Sequence, residues 1–443
     1  MSPATTAAGD AASFGDHHDP RSDALVIFGL TGDLGEKRLF PALIELQAEG
    51  RLPSTVISVD RVERSDDDIR ALLLDAAETD EQRTTARQVP LRHLRGDAAE
   101  DATYDRLAGM LDADAPLIYA ALPPSLFGDV AAGAGRLGDS VRLVMEKPFG
   151  SDAAGARELY DRITRHVAPE RLFLVDHFLA KSSVENLMAV RRTNPWIDAA
   201  LHGASVERVE VTLTETFGVD GRGSFYDGVG ALRDVVQNHM LALASVMAME
   251  PTPIEDPEVF AAARTELLRA IRPLRGDDVV LGQYDGYLDE DGVEEGSSTE
   301  TYVSAQLSID NERWDGVPFV LETGKSLDTS RTEAVAVFSG PTDVATGGRL
   351  RFSVMPDSAI ALELNVLDAR SHGITSTTLT ACRPHGHGRL SDYAVMFDSA
   401  LDGDPSHFAT IDEIVAAWKV VEPVLDLDRA PVVYQRGSGG PMS

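Results

Sequence analysis

The sequence predicts a mixed α/β protein: an N-terminal doubly wound parallel sheet, then a β+α region with a large, mostly antiparallel sheet. Three observations carry that reading. Ala24–Phe28 is an unbroken apolar run, as expected of a strand buried on both faces. Glycines at 29, 32 and 35 follow it at once, where a strand would turn sharply into a helix. After about Asp176 the continuous runs give way to alternation: in Val206–Thr214, Val209, Val211 and Leu213 take alternate positions, as in a strand with one buried face.

Residues 1–22 are rich in Ala, Ser and Asp, lack the apolar run of a signal peptide, and read as a disordered tail in which His17 and His18 are solvated. The first strand leads through the 29–35 turn into a helix near 39–49. Further strands are expected at 56–59, at 117–122 before Pro123 and Pro124, and at 141–145 before Glu146-Lys147-Pro148. This alternation predicts a Rossmann dinucleotide-binding domain over 23–176. From 177 to 443 a second domain, for substrate binding and oligomerisation, is expected. Its strands fall at 206–214, 301–307, 319–321, 334–338, 350–354 and 361–365, with an amphipathic helix at 231–247.

Composition narrows the chemistry. Forty basic side chains face 72 acidic ones, a net charge of −32, which argues against nucleic acid or an anionic membrane as partner. An anionic substrate therefore needs a local cationic pocket. Only five of the basic residues are lysines, and four of them, Lys37, Lys147, Lys181 and Lys325, lie in short motifs. A compact ammonium is a point charge for a phosphate or sugar oxygen that arginine does not freely replace. Cys382 is the one cysteine, so no intrachain disulfide forms and a reducing, cytoplasmic setting is expected. No stretch is apolar and long enough to span a bilayer.

The motifs supply candidate sites. In Gly29-Leu-Thr31-Gly32-Asp33-Leu34, the glycines let the backbone approach a pyrophosphate at a helix N-terminus. The second strand ends in Asp60-Arg61; the carboxylate suits the ribose of NAD, the guanidinium the 2′-phosphate of NADP, and both cofactors stay open. Lys147 closes a strand at the sheet's carboxyl edge. His177 and Lys181 are four apart, so on a helix both would project from one face as a phosphate clamp. His239 follows Leu232 and Val236 at helical spacing, yet Arg233, Asp234, Gln237 and Asn238 surround it, a density of polar groups that a buried helix does not carry without purpose. His385-Gly-His387 reads as a solvated loop, and no metal site is expected.

Together, Gly-Leu-Thr-Gly-Asp-Leu, Glu-Lys-Pro-Phe-Gly, Asp-His-Phe-Leu-Ala-Lys and the 225–239 segment ending Gln-Asn-His resemble the glucose-6-phosphate dehydrogenase family, as do the 314–325 segment and Ala416-Ala-Trp418. The motifs keep the family's order over nearly the whole chain. The resemblance implies oxidation of glucose 6-phosphate with NADP or NAD by a homodimer or homotetramer. It implies that His239 is the catalytic base and Asp176 the carboxylate that orients it. Lys147 would hold the sugar as well as lie beside the cofactor, and His177 and Lys181 the 6-phosphate. Glu215, Asp234, Lys325 and Arg331 would line the rest of the substrate pocket. Phe178, Ala180 and Ser182 stand where the family has tyrosine, glycine and glutamate, which leaves a related hexose or hexose phosphate open as substrate. The E-K-P turn is shared with the glucose–fructose oxidoreductase type, and a non-catalytic regulatory paralogue is the third reading.

Overall fold

A computed structural model describes residues 20–340, 347–368, 373–382 and 390–441. The histidines at 17, 18, 385 and 387 and most of the expected tail fall outside these residues. Arg21 and Ser22, assigned to that tail, are held instead: Arg21 pairs with Asp398 at 2.9 Å and the Ser22 amide donates to Leu401 O at 2.7 Å.

Six parallel strands form the first sheet: β1 (Ala24–Phe28), β2 (Thr55–Asp60), β3 (Leu91–Arg95), β4 (Pro116–Ala120), β5 (Arg142–Met145) and β6 (Leu172–Val175). Their order is β6-β5-β4-β1-β2-β3, so β1 lies between β2 and β4. The connections therefore leave β1 in opposite directions, which opens a crevice beyond its carboxyl end. β1 is buried throughout, as its unbroken apolar run requires. β3 and β6 were not legible, because Leu-Arg-His-Leu-Arg alternates poorly and Leu172–Val175 is only four residues long.

The second sheet contains β7 (Val206–Thr214), β8 (Val279–Tyr284), β9 (Tyr302–Leu307), β10 (Phe319–Gly324), β11 (Arg331–Phe338), β12 (Arg349–Met355), β13 (Ala359–Leu367) and β14 (Ile374–Cys382). β15 (Phe408–Ala409) returns to the first sheet, antiparallel to β6, and β16 (Val432–Tyr434) edges the second. The second sheet's order is β14-β13-β12-β11-β7-β10-β9-β8-β16. It is antiparallel except where β10 meets β7 and β16 meets β8.

Between the two sheets lies the segment expected as one helix over 231–247. It is two: a π-helix over Leu232–Met240 that runs into the apolar α-helix Leu241–Ala248. The far end is fixed by buried Arg191, which donates to Val246 O at 2.8 Å and Met249 O at 2.6 Å while bonding Asp198. Trp314 Nε1 donates to Ala248 O at 2.7 Å. Trp418, also buried, donates to Phe149 O at 3.2 Å and so ties helix Ile411–Val421 to the turn after β5. Truncating such a side chain to alanine typically costs about 3–5 kcal/mol. No described helix is long and apolar enough to cross a membrane.

Candidate active site

The turn after β1 forms one wall of the crevice. Gly29 has φ +79°, and a Cβ there would meet Ala121 O at 2.2 Å, so the close crossing of β1 and β4 requires glycine. Gly35 is equally constrained: a Cβ would fall 1.6 Å from Leu30 O. Thr31, Gly32, Asp33 and Leu34 are left partly or fully exposed at the mouth. Asp60 accepts from Ser58 Oγ at 3.1 Å and from Thr31; burial pushes its carboxyl up against these bonds. Arg61 is exposed at the strand end and makes no ion pair among the described residues. A cradle with no side chains on its glycines, at the sheet's switch point, fits a dinucleotide's pyrophosphate.

The opposite wall comes from the π-helix. Residues five apart on an α-helix sit about 140° apart around the axis. The i→i+5 winding of Leu232–Met240 brings Asp234 and His239 nearer a common side, where both meet Lys147. Such windings recur at functional sites. His239 Nδ1 lies 2.9 Å from Asp176 Oδ1, which also accepts from the Phe178 amide at 3.0 Å. His239 Nε2 lies 2.7 Å from Lys147 Nζ, which also donates to Asp234 O at 3.0 Å and reaches Asp234 Oδ1 at 3.4 Å. An ammonium can only donate, so Nε2 accepts and the Nδ1 proton is the one given to Asp176. Burial, then Lys147 and Lys181, hold the His239 imidazole well below its usual range. Burial works to raise Asp234, but Lys147 and Lys325 outweigh it and hold the carboxyl down.

Lys147 owes its place to β5 and to Glu146. The Glu146 carboxyl, fully buried, accepts from the Tyr119 hydroxyl and, at 3.3 Å, from the Lys147 amide. The peptide bond from Lys147 to Pro148 is cis.

His177 and Lys181 do not share a helix. Residues 177–180 form a turn, and helix Ser182–Thr193 begins only after Lys181. The turn still brings them to one place, since the Leu179 amide donates to Asp176 O at 3.0 Å and the Lys181 amide to Phe178 O at 3.1 Å. The His177 ring meets His239 edge-on at 4.4 Å, and Phe178 stacks on His239 at 4.2 Å. Burial, then the adjoining His239 ring and the Lys147 and Lys181 charges, hold His177 well below its ordinary value. Lys181 Nζ pairs with Asp392 Oδ2 at 2.6 Å, and Tyr393 lies parallel to His177 at 6.0 Å.

Lys325 is buried, paired with Glu215 at 2.5 Å, and lies over the rings of Phe217 and Tyr226 at 5.5 and 5.2 Å. Its charge acts on Asp234, which joins this pair to the His239 group. Arg331 sits apart: it begins β11 opposite Thr214, is half-exposed, and faces Glu333 at 3.8 Å. The structure thus gathers Lys147, Asp176, His177, Lys181, Glu215, Asp234, His239 and Lys325, and leaves Arg331 apart from them. Asp176, His177 and His239 bring potential ligand atoms within 4.8 Å of one another, but Lys147 and Lys181 set two ammonium charges beside them, an environment that opposes a metal dication.

Asp392, Tyr393 and the Tyr119–Glu146 pair were missed from the sequence. Ser391-Asp392 signals a helix start and nothing more; no pattern in the chain places it against Lys181.

Comparison with known proteins decides the family. The description "Glucose-6-phosphate dehydrogenase, NAD binding domain" matches residues 26–186, and "Glucose-6-phosphate dehydrogenase, C-terminal domain" matches 188–443. The chain belongs to the glucose-6-phosphate dehydrogenase family. It is 33% identical over 469 residues to the glucose-6-phosphate 1-dehydrogenase of Saccharomyces cerevisiae, covering 95% of this chain and 92% of that one. The crystal structure of the Mycobacterium avium glucose-6-phosphate 1-dehydrogenase superposes with TM-score 0.88 at 33% identity, over 96% of both chains. A structure of glucose-6-phosphate dehydrogenase in complex with its substrate glucose-6-phosphate gives TM-score 0.87 at 31% identity, over 96% of this chain and 97% of that one. Within the family's two-domain layout, the His239 group lies where the carboxyl edge of the first sheet faces the π-helix in front of the second.

Proposed function

We propose that this chain oxidises C1 of glucose 6-phosphate and passes the hydride to NADP+ or NAD+, giving 6-phosphogluconolactone. The observation that carries the reading is the Asp176–His239 pair, whose far nitrogen meets Lys147, with His177 edge-on to the ring and Lys181 nearby. When bound, the nicotinamide ring supplies the hydride acceptor. His239 takes the proton of the C1 hydroxyl on Nε2 as the C–H bond breaks, and C1 becomes the lactone carbonyl carbon. Asp176 stabilises the imidazolium that forms and keeps the proton on Nδ1 beforehand. Burial and Lys147 keep the ring neutral near pH 7, hence free to accept a proton. Lys147, displaced from Nε2 by the substrate hydroxyl, remains as a donor to the sugar oxygens. Asp234, Glu215 and Lys325 line the sugar's other edge, with Arg331 beyond them, and His177 and Lys181 receive the phosphate.

Residues 23–176 serve the dinucleotide and 177–443 the substrate and assembly. Asp60 already accepts from Ser58 and Thr31, so exposed Arg61 is the better placed of the two for a 2′-phosphate, which favours NADP. The exposed apolar face of β13 and β14 supports the expected homodimer or homotetramer as a surface for self-association: Leu364, Val366 and Leu379 share it and are 38, 37 and 59% exposed. The net charge of −32 fits neither nucleic acid nor an anionic membrane as partner, and the single cysteine suits the cytoplasm.

The deciding assay follows nicotinamide reduction with NAD and NADP, each crossed with glucose 6-phosphate and free glucose. Reduction with glucose 6-phosphate is the expected result. Activity confined to free sugars would favour the glucose–fructose oxidoreductase type. Failure across a panel of hexoses and hexose phosphates would favour a non-catalytic paralogue.

A further inference from the structure

The cation assigned to the substrate's phosphate already has an anion. Lys181 Nζ lies 2.6 Å from Asp392 Oδ2, with the lysine side chain 15% and the aspartate 35% exposed. The pair spans 211 positions, so it is a product of the fold and not of local sequence. Asp392 opens helix Asp392–Asp402, and that end of the helix is capped by Ser391 and seated against helix Phe40–Ala48 and the 177–180 turn. The Ser391 amide donates to Glu45 Oε2 at 2.6 Å, the Ser391 hydroxyl caps the helix at Ala394, and the Tyr393 ring lies parallel to His177 at 6.0 Å. The Asp392 backbone is thereby fixed, and its short side chain has little reach away from Lys181.

We propose that Asp392 is a built-in competitor for the substrate's phosphate, which narrows this chain's preference for phosphorylated over unphosphorylated hexoses. The inference rests on the assignment of Lys181 and His177 to the phosphate. The charge count around that position supports it. Lys181 is neutralised by Asp392, His177 is held toward its neutral form, and Lys147 is engaged by His239 and Asp234. A dianion entering here meets a site with little net positive charge inside a protein of net charge −32. It must either displace the carboxylate from Lys181 or lie beside it, and both lower affinity. A neutral C6 hydroxyl meets no such conflict, because Lys181 can donate to it while Asp392 accepts from it. Phe178, which has no hydroxyl to offer a phosphate, stacks on His239 instead.

The test compares wild type with Asp392→Asn and Asp392→Ser, the latter retaining a residue suited to a helix start. For each, kcat/KM is measured for glucose 6-phosphate and for free glucose at saturating cofactor. Binding of inorganic phosphate to each protein is measured by calorimetry. The expected result is that both variants raise the ratio of the two kcat/KM values by about tenfold, through KM for glucose 6-phosphate, and bind inorganic phosphate correspondingly more tightly. A purely structural role would shift both sugars together. A ratio and a phosphate affinity within about twofold of wild type in either folded variant would overturn the proposal. Should wild type fail to oxidise glucose 6-phosphate, the functional reading fails by itself, and the phosphate titration still decides the role of Asp392.

Discussion

Lys147 Nζ lies 2.7 Å from His239 Nε2, on the ring nitrogen opposite the one that meets Asp176 at 2.9 Å. The two contacts define one tautomer between them. The carboxylate demands a proton on Nδ1, and the ammonium demands a lone pair on Nε2. The site therefore holds its base in the form the reaction needs, with a lysine proton where the substrate's would be received.

Replacing Asp176 with asparagine keeps the size and removes the preference. An asparagine amide offers a donor as well as an acceptor to Nδ1, so the reverse tautomer becomes accessible and the developing imidazolium loses its counter-charge. The expected loss is about 10²–10⁴ in kcat, with the affinity for glucose 6-phosphate little changed. Steady-state kinetics together with a substrate titration check both halves of this expectation.

Lys147→Gln acts on the same ring from the other side. Burial is the main reason His239 is held low, and Lys147 is the next. Removing the ammonium charge raises the imidazole's pKa, so the base is lost to protonation at a higher pH than before. The acid limb of the kcat/KM–pH profile should move upward, and KM should rise as the sugar contact is lost. A limb that stays in place would show that Lys147 does not tune the base.

Acid stability follows from two buried imidazoles. His177 and His239 are both held well below 6.5 in the folded chain and titrate near 6.5 once unfolded. Below that pH the unfolded chain binds more protons. Stability is therefore full above about 6.5 and is lost as the pH falls, by up to about 1.4 kcal/mol per pH unit for each ring. Urea unfolding at pH 7.5, 6.5 and 5.5 should show the loss, and His177→Asn should reduce its slope by about half.

Much of this architecture was legible where burial is uniform. The apolar run at β1, the alternation in β7 and the glycine turn each reflect a single environment that extends over the whole element. β14 was missed because Ile-Thr-Ser-Thr-Thr-Leu-Thr-Ala-Cys carries no apolar alternation, and much of it is exposed. His177 and Lys181 met as expected, yet on a turn and not on a helix, since spacing constrains proximity without fixing winding. The π-helix was invisible for a related reason: one extra residue per hydrogen-bonded turn leaves the apolar pattern of a nine-residue stretch nearly unchanged. Asp392 could not be foreseen at all, because its meaning lies entirely in a contact made by folding.

The proposed oxidation depends most directly on His239 as the proton acceptor. In His239→Asn the amide can still pack against Phe178 but cannot take a proton from the C1 hydroxyl. Turnover of glucose 6-phosphate should fall by about 10³-fold or more, while the calorimetric Kd for glucose 6-phosphate stays within about threefold of wild type. A variant that keeps most of its rate, or that loses its rate only because it no longer binds the sugar phosphate, would contradict the assignment.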